Sequence, residues 1–147
     1  MLIIRDEITE DRSAVAALRA AWAAEQEPGA GVDPDFEAVY SNWRDANPRK
    51  FIVAERDGEL VGMLNLLVFE RMPKPGKEPS HWVYLGNVYV LPEFRNAGIG
   101  AQLVQEAIAF SRGIKAARLV LSPSPASRSF YARLGFEPAV ELNVLRF

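Results

Sequence analysis

A glycine-containing turn joins a strand-like run to a helix-like run in the stretch VYVLPEFRNAGIGAQL, residues 88–103. Gly98 and Gly100 flank Ile99 where the helical pattern begins, and Arg95 precedes them. The first amides of a helix have no partner within the helix, and the helix dipole adds partial positive charge there. Glycines let a ligand come close to such amides, so this turn could bind an anion such as a phosphate. The same glycines would also suit a plain turn without a ligand.

Two familiar phosphate-binding loops do not fit this turn. A P-loop ends in Gly-Lys-Ser/Thr, whereas Gly100 is followed by Ala101 and Gln102. The dinucleotide fingerprint needs a third glycine three residues after Gly100, where Leu103 stands. The pattern therefore predicts neither a P-loop nucleotide site nor a dinucleotide site.

The wider segment resembles the acyl-CoA-binding motif of the GNAT family of N-acetyltransferases. That motif is a strand and a proline, then Arg/Gln-x-x-Gly-x-Gly/Ala entering a helix, and residues 95–100 match it. A second family element, a short helix with a tyrosine followed by a Gly-Phe pair, is similar to FYARLGF at 130–136. The order of elements is also similar to the family's, so the resemblance covers essentially the whole chain.

The resemblance implies that this chain binds acetyl-CoA or another short acyl-CoA as co-substrate. The CoA diphosphate would lie on the amides of the turn, and the pantetheine arm would pair with the preceding strand. In this family the strands before Arg95 and before Ser122 separate to admit that arm, and a strand amide could polarise the thioester carbonyl. The implied cofactor-binding residues are Val88, Tyr89, Val90, Arg95, Asn96, Ala97, Gly98, Ile99, Gly100, Ala101 and Ser124. No metal site is expected, because one histidine and no cysteine leave only carboxylates as further ligands.

Tyr131 matches the family's general acid by position. A phenol with a pKa of about 10 is protonated at pH 7 and could donate to the departing thiolate, although an aromatic residue at helical spacing could simply pack in the core. Many relatives carry a glutamate base on the motif strand, and Gly86 stands at that place here. Glu70, His81 or a water chain could act as the base, or an amine of lowered pKa could need none.

The spacing of apolar residues predicts the order β-α-α-β-β-β-α-β-α-β along the chain. We expect a mixed α/β fold with a central sheet of about six to seven strands and helices on both faces. Asp57-Gly58 predicts a hairpin turn, and the segment AVELNVLRF, residues 139–147, predicts a final strand. The whole chain, residues 1–147, is expected to be a single acyl-CoA N-acyltransferase domain.

Composition restricts the class of protein. The chain has 147 residues, of which 49% are hydrophobic and 24% charged, and its net charge is −2. This balance gives no basic excess for general nucleic-acid binding, and no apolar run approaches the roughly 20 residues of a membrane helix. The absence of cysteine fits a reducing compartment, and the N-terminus is too short and acidic for a signal peptide, so a cytoplasmic location is expected.

These observations predict an N-acetyltransferase that moves an acetyl or short acyl group to a primary amine by direct attack in a ternary complex. The alternatives are a non-catalytic acyl-CoA sensor and an interaction domain in which the glycines only turn the chain. The acceptor could be a small molecule or a peptide amine, and a homodimer is compatible with the sequence. An acidic cluster around the first helix–helix loop would suit a cationic amine or simply be a solvated loop; it comprises Glu25, Glu27, Asp33, Asp35 and Glu37.

Overall fold

A computed structural model describes all residues from 1 to 147 and has five strands and four α-helices. The strands are β1 Leu2–Asp6, β2 Lys50–Arg56, β3 Glu59–Glu70, β4 His81–Val90 and β5 Arg118–Val120. The helices are α1 Arg12–Gln26, α2 Phe36–Ala46, α3 Ile99–Gly113 and α4 Arg128–Arg133. The mixed α/β class predicted from the sequence is confirmed, although the sheet has fewer strands than expected.

The strands lie side by side in the order in which they occur along the chain. The first four are antiparallel, and β5 runs parallel to β4. Asp57 and Gly58 join β2 to β3 with φ of 52° and 87°, as the hairpin turn predicted from this dipeptide requires. The crossover from β4 to its parallel neighbour β5 carries α3, which places the start of that helix beyond the end of β4.

Helices cover both faces of the sheet, and each face has its own apolar cluster. On one face α3 packs against the sheet through Ile99, Leu103 and Val104, which are fully buried. On the other face α1 and α2 cover a second cluster that includes Val15 and Tyr40. The apolar residues recur at helical spacing in α1 and α3, so each helix turns one stripe toward the sheet.

Strand β4 contains one extra residue where it passes the middle of β3. Met63 pairs with Tyr89 and Asn65 pairs with Gly86, so two steps along β3 correspond to three along β4. Asn87 lies in this bulge with a φ of 58°. A bulge interrupts the hydrogen-bond ladder and re-aims neighbouring side chains, so this part of β4 has backbone groups that are free of β3.

Strands β4 and β5 are paired over only a short length. Residues 82–84 of β4 pair with Arg118–Val120, and β4 then continues to Val90 without a partner on that side. The gap begins where the family resemblance leads one to expect the two strands to separate. It leaves an open edge of β4 next to the start of α3.

The prediction of a final strand at residues 139–147 is wrong. No backbone hydrogen bond joins this segment to the sheet, and the side chains of Val140 and Phe147 are fully or almost fully exposed. Apolar residues alternate with polar ones in Val140, Glu141, Leu142 and Asn143, which is why the segment predicts a strand. An alternating pattern determines which side chains of a strand share a face, but it does not determine whether a sheet edge is available for pairing. No edge of this sheet pairs with residues 139–147.

Candidate active site

The turn between β4 and α3 has an unusual backbone. Asn96 and Gly98 have φ of 62° and 80°, both in the left-handed region, and Gly98 is the residue before the first turn of α3. No side chain caps this helix end. Left-handed conformation costs little at glycine and is tolerated by asparagine, which explains these two residue types in the turn.

The backbone amides of this turn are available to a ligand. Residues 96–98 donate no backbone hydrogen bond, and the first amides of α3 have no partner inside the helix. Successive amides in alternating backbone conformations form a concave anion site, and the helix dipole strengthens it. The turn can therefore bind an anion without any lysine.

A cavity of about 970 Å³ extends from this turn along the open edge of β4 to α4, and we call it the larger cavity. It brings together nearly all the site residues predicted from the sequence, which come from β4, the turn, α3 and the segment before α4. They are Val88, Tyr89, Val90, Arg95, Asn96, Gly98, Ile99, Gly100, Ala101, Ser124 and Tyr131. Ala97 is the one predicted residue that does not line the cavity. Two motifs separated in the sequence thus meet at one cavity.

Tyr131 lies on α4 with its ring packed in an aromatic group. The rings of Phe130 and Phe136 meet it edge-on, with centroids 4.9 and 5.6 Å away. Burial raises the pKa of the Tyr131 hydroxyl, so the phenol is protonated at neutral pH. The ring packs as a core residue would, but it also lines the larger cavity, where its hydroxyl can act as a proton donor.

The guanidinium of Arg95 is hydrogen-bonded to the backbone of β4 and to a side chain of α1. Its Nε donates to the carbonyl of Val90 at 2.9 Å, and its two terminal nitrogens donate to the two carboxylate oxygens of Glu25 at 2.7 and 2.8 Å. The hydroxyl of Tyr89 donates to the same carboxylate at 3.0 Å. The hydrogen bonds from Arg95 hold the pKa of Glu25 below its usual range, so Glu25 is ionised at neutral pH.

Sequence reasoning missed the contribution of α1 to this cavity. The ring of Trp22 stacks on Tyr89 with centroids 5.4 Å apart, and Trp22 and Glu25 both line the cavity. The two residues are three apart on a helix and so share a face, which is a signal the sequence contains. Nothing in the sequence says which part of β4 that face would meet.

A second cavity, of about 300 Å³, lies between α1, α2 and the sheet, and we call it the smaller cavity. Seven of its ten lining residues are hydrophobic. Its walls include the aromatic rings of Phe36, Tyr40, Trp43 and Phe51. Arg19 is the single charged residue among those that line it.

The two cavities approach each other at the bulge of β4. Asn87 lines the smaller cavity, whereas the next residue, Val88, lines the larger one. The Asn87 side-chain oxygen accepts a hydrogen bond from the buried amide of Asn65 at 2.8 Å, which holds the bulge in place. A group in the smaller cavity could therefore reach a reactive group that lies along β4 in the larger one.

The candidate bases do not lie at either cavity. Glu70 and His81 pair with each other at the opposite end of the β3–β4 hairpin, and neither lines the larger or the smaller cavity. His81 is six residues from Asn87, about 20 Å along an extended strand. Gly86, the position at which relatives carry a glutamate, faces Asn65 and the ring of Tyr84.

Comparison with known proteins establishes the family. The model of the acetyltransferase (GNAT) family matches residues 15–136, and the chain belongs to this family. It is 34% identical over 137 residues, 93% of its length, to a mycothiol acetyltransferase of Nocardia farcinica. It is also 30% identical over 79 residues, 54% of its length, to a glucosamine 6-phosphate N-acetyltransferase of Trypanosoma brucei brucei. The chain spans only 41% and 52% of the lengths of these two relatives.

The fold is shared with solved acetyltransferase structures. A predicted acetyltransferase of Clostridium acetobutylicum, solved with acetyl-CoA, superposes with a TM-score of 0.75 at 19% identity. That superposition covers 99% of this chain and 96% of the other. Acetyl-CoA is the acyl donor of this family, so the predicted co-substrate class is confirmed at the level of the family. None of the helices is both long and apolar enough to cross a membrane.

Proposed function

We propose that residues 1–147 form one N-acetyltransferase domain that transfers an acetyl or short acyl group from acyl-CoA to a primary amine. The observation that carries this proposal is the convergence of both family motifs on the larger cavity, beside a separate smaller cavity at the bulge of β4. In this proposal acyl-CoA occupies the larger cavity and the amine the smaller one. The names of the two relatives refer to different compounds, mycothiol and glucosamine 6-phosphate, and both are small molecules.

The donor would be bound largely by backbone groups. The free amides of the turn and of the first residues of α3 would hold the diphosphate, with Arg95 beside them. The open edge of β4, from Val88 to Val90, would pair with the amide groups of the pantetheine arm as an added strand does. In this proposal the thioester would lie near the bulge, where a β4 amide could donate to its carbonyl oxygen.

Protein groups are proposed for two parts of this reaction, the thioester carbonyl and the departing thiolate. The amine attacks the thioester carbon, a C–N bond forms and the C–S bond breaks. Tyr131 would give its phenolic proton to the departing thiolate, because its raised pKa keeps that proton in place until the thiolate forms. The proton lost by the amine would pass to water, since Glu25 is held ionised with a lowered pKa and is therefore a weak base.

Two measurements test this proposal in order. Thermal unfolding with and without acetyl-CoA tests binding, because a ligand at 100 times its dissociation constant adds about 2.7 kcal/mol to the free energy of unfolding. Release of free thiol with a panel of primary amines then tests turnover, with acetyl-CoA alone as the blank. An unchanged unfolding temperature would overturn both the enzyme and the sensor hypotheses. Stabilisation without thiol release from any amine would favour the acyl-CoA sensor instead.

A further inference from the structure

Arg19 has no partner for its charge. It lies on α1, where its guanidinium stacks over the ring of Trp22 at 4.9 Å, and no carboxylate pairs with it. Its Nη1 atom is buried and makes no hydrogen bond. A guanidinium is always charged, and a buried donor without an acceptor is unfavourable. The smaller cavity therefore contains a cationic group that is ready to accept an anion.

Three other arginines in this part of the fold differ from Arg19 in this respect. Arg12, at the start of α1, pairs with Asp45 at 2.6 Å. Arg44 on α2 pairs with Glu7, and Arg95 at the turn pairs with Glu25. Each of these guanidinium groups has a carboxylate from another element, so their charge is already balanced within the fold. Among these four arginines, Arg19 is the one that lines a cavity without a carboxylate partner.

The other residues that line the smaller cavity indicate which further groups a ligand there would have. The hydroxyl of Tyr40 is buried near Glu7 and Arg44 without a hydrogen bond that meets normal geometry, and Tyr40 lines this cavity, so its hydroxyl is a candidate for a second polar contact. The rings of Phe36, Trp43 and Phe51 provide apolar walls on which a flat or apolar body can pack. The acidic cluster near the first helix–helix loop does not supply charge here, because none of its residues lines this cavity.

We propose that the acceptor amine carries an anionic group, a carboxylate or a phosphate, which Arg19 binds. This inference rests on the proposed function, because it assigns the acceptor to the smaller cavity. The acidic cluster would favour a cationic acceptor, whereas this inference gives the acceptor an anionic group. Glu25 of that cluster is engaged with Arg95. The planar guanidinium suits either anion, as it can donate two parallel hydrogen bonds to carboxylate or phosphate oxygens.

The position of Arg19 on α1 places the two cavities next to each other. Arg19 lines the smaller cavity, whereas Trp22, three residues later, lines the larger one. An α-helix rises about 4.5 Å over three residues. Small acceptors that carry both an amine and an anionic group, such as an α-amino acid or an amino-sugar phosphate, are therefore the compounds to test.

The test compares matched pairs of amines in the thiol-release assay. One pair is phenylalanine and phenethylamine, which differ by the carboxylate; the other is glucosamine 6-phosphate and glucosamine, which differ by the phosphate. Each pair is measured with the unchanged protein, with Arg19→Met and with Arg19→Lys. Arg112→Met is the control, because Arg112 is exposed at the end of α3 and lines neither cavity.

We expect the anionic member of at least one pair to have the higher kcat/KM. Arg19→Met should lower kcat/KM for that member by about tenfold or more, mainly through KM, because charge-assisted hydrogen bonds are lost. The uncharged member should change by less than about twofold, and Arg19→Lys should retain part of the preference. Because the pKa of the amine is the same for every variant, the change in the ratio within a pair reports the contact with Arg19 alone.

Three results would count against the inference, and they are distinguishable. If the uncharged members are used as well as the anionic ones, or if Arg19→Met lowers both members equally, the inference is overturned while the acetyltransferase function stands. If no amine releases thiol, the proposed function fails and the inference falls with it. Arg19→Gln is measured in the same way if Arg19→Met does not give a folded protein by circular dichroism.

Discussion

The larger and smaller cavities lie on either side of one bulge in β4, yet they are built from different parts of the chain. The larger cavity offers a ligand the free backbone amides of residues 96–98 and the open edge of β4, beside side chains of α1 and α4. The smaller cavity is formed by side chains from α1, α2 and three strands. A backbone site serves one constant ligand, whereas a side-chain pocket can change its ligand by single substitutions. This difference suits a family with one acyl donor and several acceptors.

The largest effect should come from Tyr131, the side chain that we propose as the general acid in the larger cavity. Tyr131→Phe should lower kcat by about 100-fold, a typical contribution of a positioned acid, while changing the Kd for CoA by less than about twofold. Stopped-flow thiol release and calorimetry measure the two quantities. Tyr84→Phe is the control, because the Tyr84 hydroxyl only contacts Ser122 at 3.4 Å and lines neither cavity. Unchanged kcat, under conditions where chemistry limits the rate, would remove Tyr131 from this role.

The second-largest effect should come from a substitution that disturbs the backbone of the turn before α3. Gly98→Ala places a side chain at a φ of 80°, which costs about 1–2 kcal/mol, and we expect CoA to bind about tenfold more weakly as the turn shifts. Gly76→Ala is a matched control, since Gly76 has a φ of 70° in an exposed loop and, like Gly98, has nothing within 4 Å of an added Cβ. Both variants should unfold at similarly lowered temperatures. Equal loss of CoA affinity in the two would contradict a special role for the backbone of the turn.

A side-chain change in the smaller cavity should affect the acceptor and not the donor. Tyr40→Phe removes a buried hydroxyl that has no partner within the fold, so the free energy of unfolding should be unchanged or slightly higher. If that hydroxyl contacts the acceptor, KM for the acceptor should rise about fivefold, the value of one hydrogen bond. The Kd for CoA should stay the same. A weaker affinity for CoA with unchanged acceptor KM would show that the two cavities are not separate sites.

The smallest effect concerns the carboxylate that reaches the larger cavity from α1. Glu25 is ionised because Arg95 lowers its pKa, and its charge opposes a diphosphate at the turn. Glu25→Gln should therefore strengthen CoA binding by about two- to fivefold at low salt, the scale of an exposed ion pair. The gain should shrink as salt is added, since the groups are exposed. Weaker binding in calorimetry would mean that Glu25 chiefly holds Arg95 in place.

Local patterns predicted much of the fold and of the larger cavity. Asp57-Gly58 predicted the β2–β3 turn, and the segment of residues 88–103 predicted a strand, a glycine turn and a helix, all of which are present. These features depend on residues close together in the chain, where backbone conformation follows from residue type. Ala97 marks the limit of such prediction, because its position in the motif did not reveal that it does not line the cavity.

Features that need distant partners could not be predicted in the same way. Residues 139–147 have the alternation of a strand but no edge to pair with. Glu25 belongs to an acidic cluster in the sequence, yet in the fold its carboxylate is bound by Arg95, which lies 70 residues away. Glu70 and His81 were candidate bases by residue type, and the hairpin register places them at the far end of the sheet.

The sequence by itself determined the family, most of the element types and the backbone of the turn from Arg95 to Gly100. It could do so because proline fixes φ, glycine and asparagine tolerate left-handed φ, and apolar spacing identifies buried faces. Only the tertiary structure decided that α1 closes the larger cavity and that Arg19 remains unpaired in the smaller one. The physical reason is that charge pairing and cavity walls depend on packing between elements, and the sequence does not specify which distant groups meet.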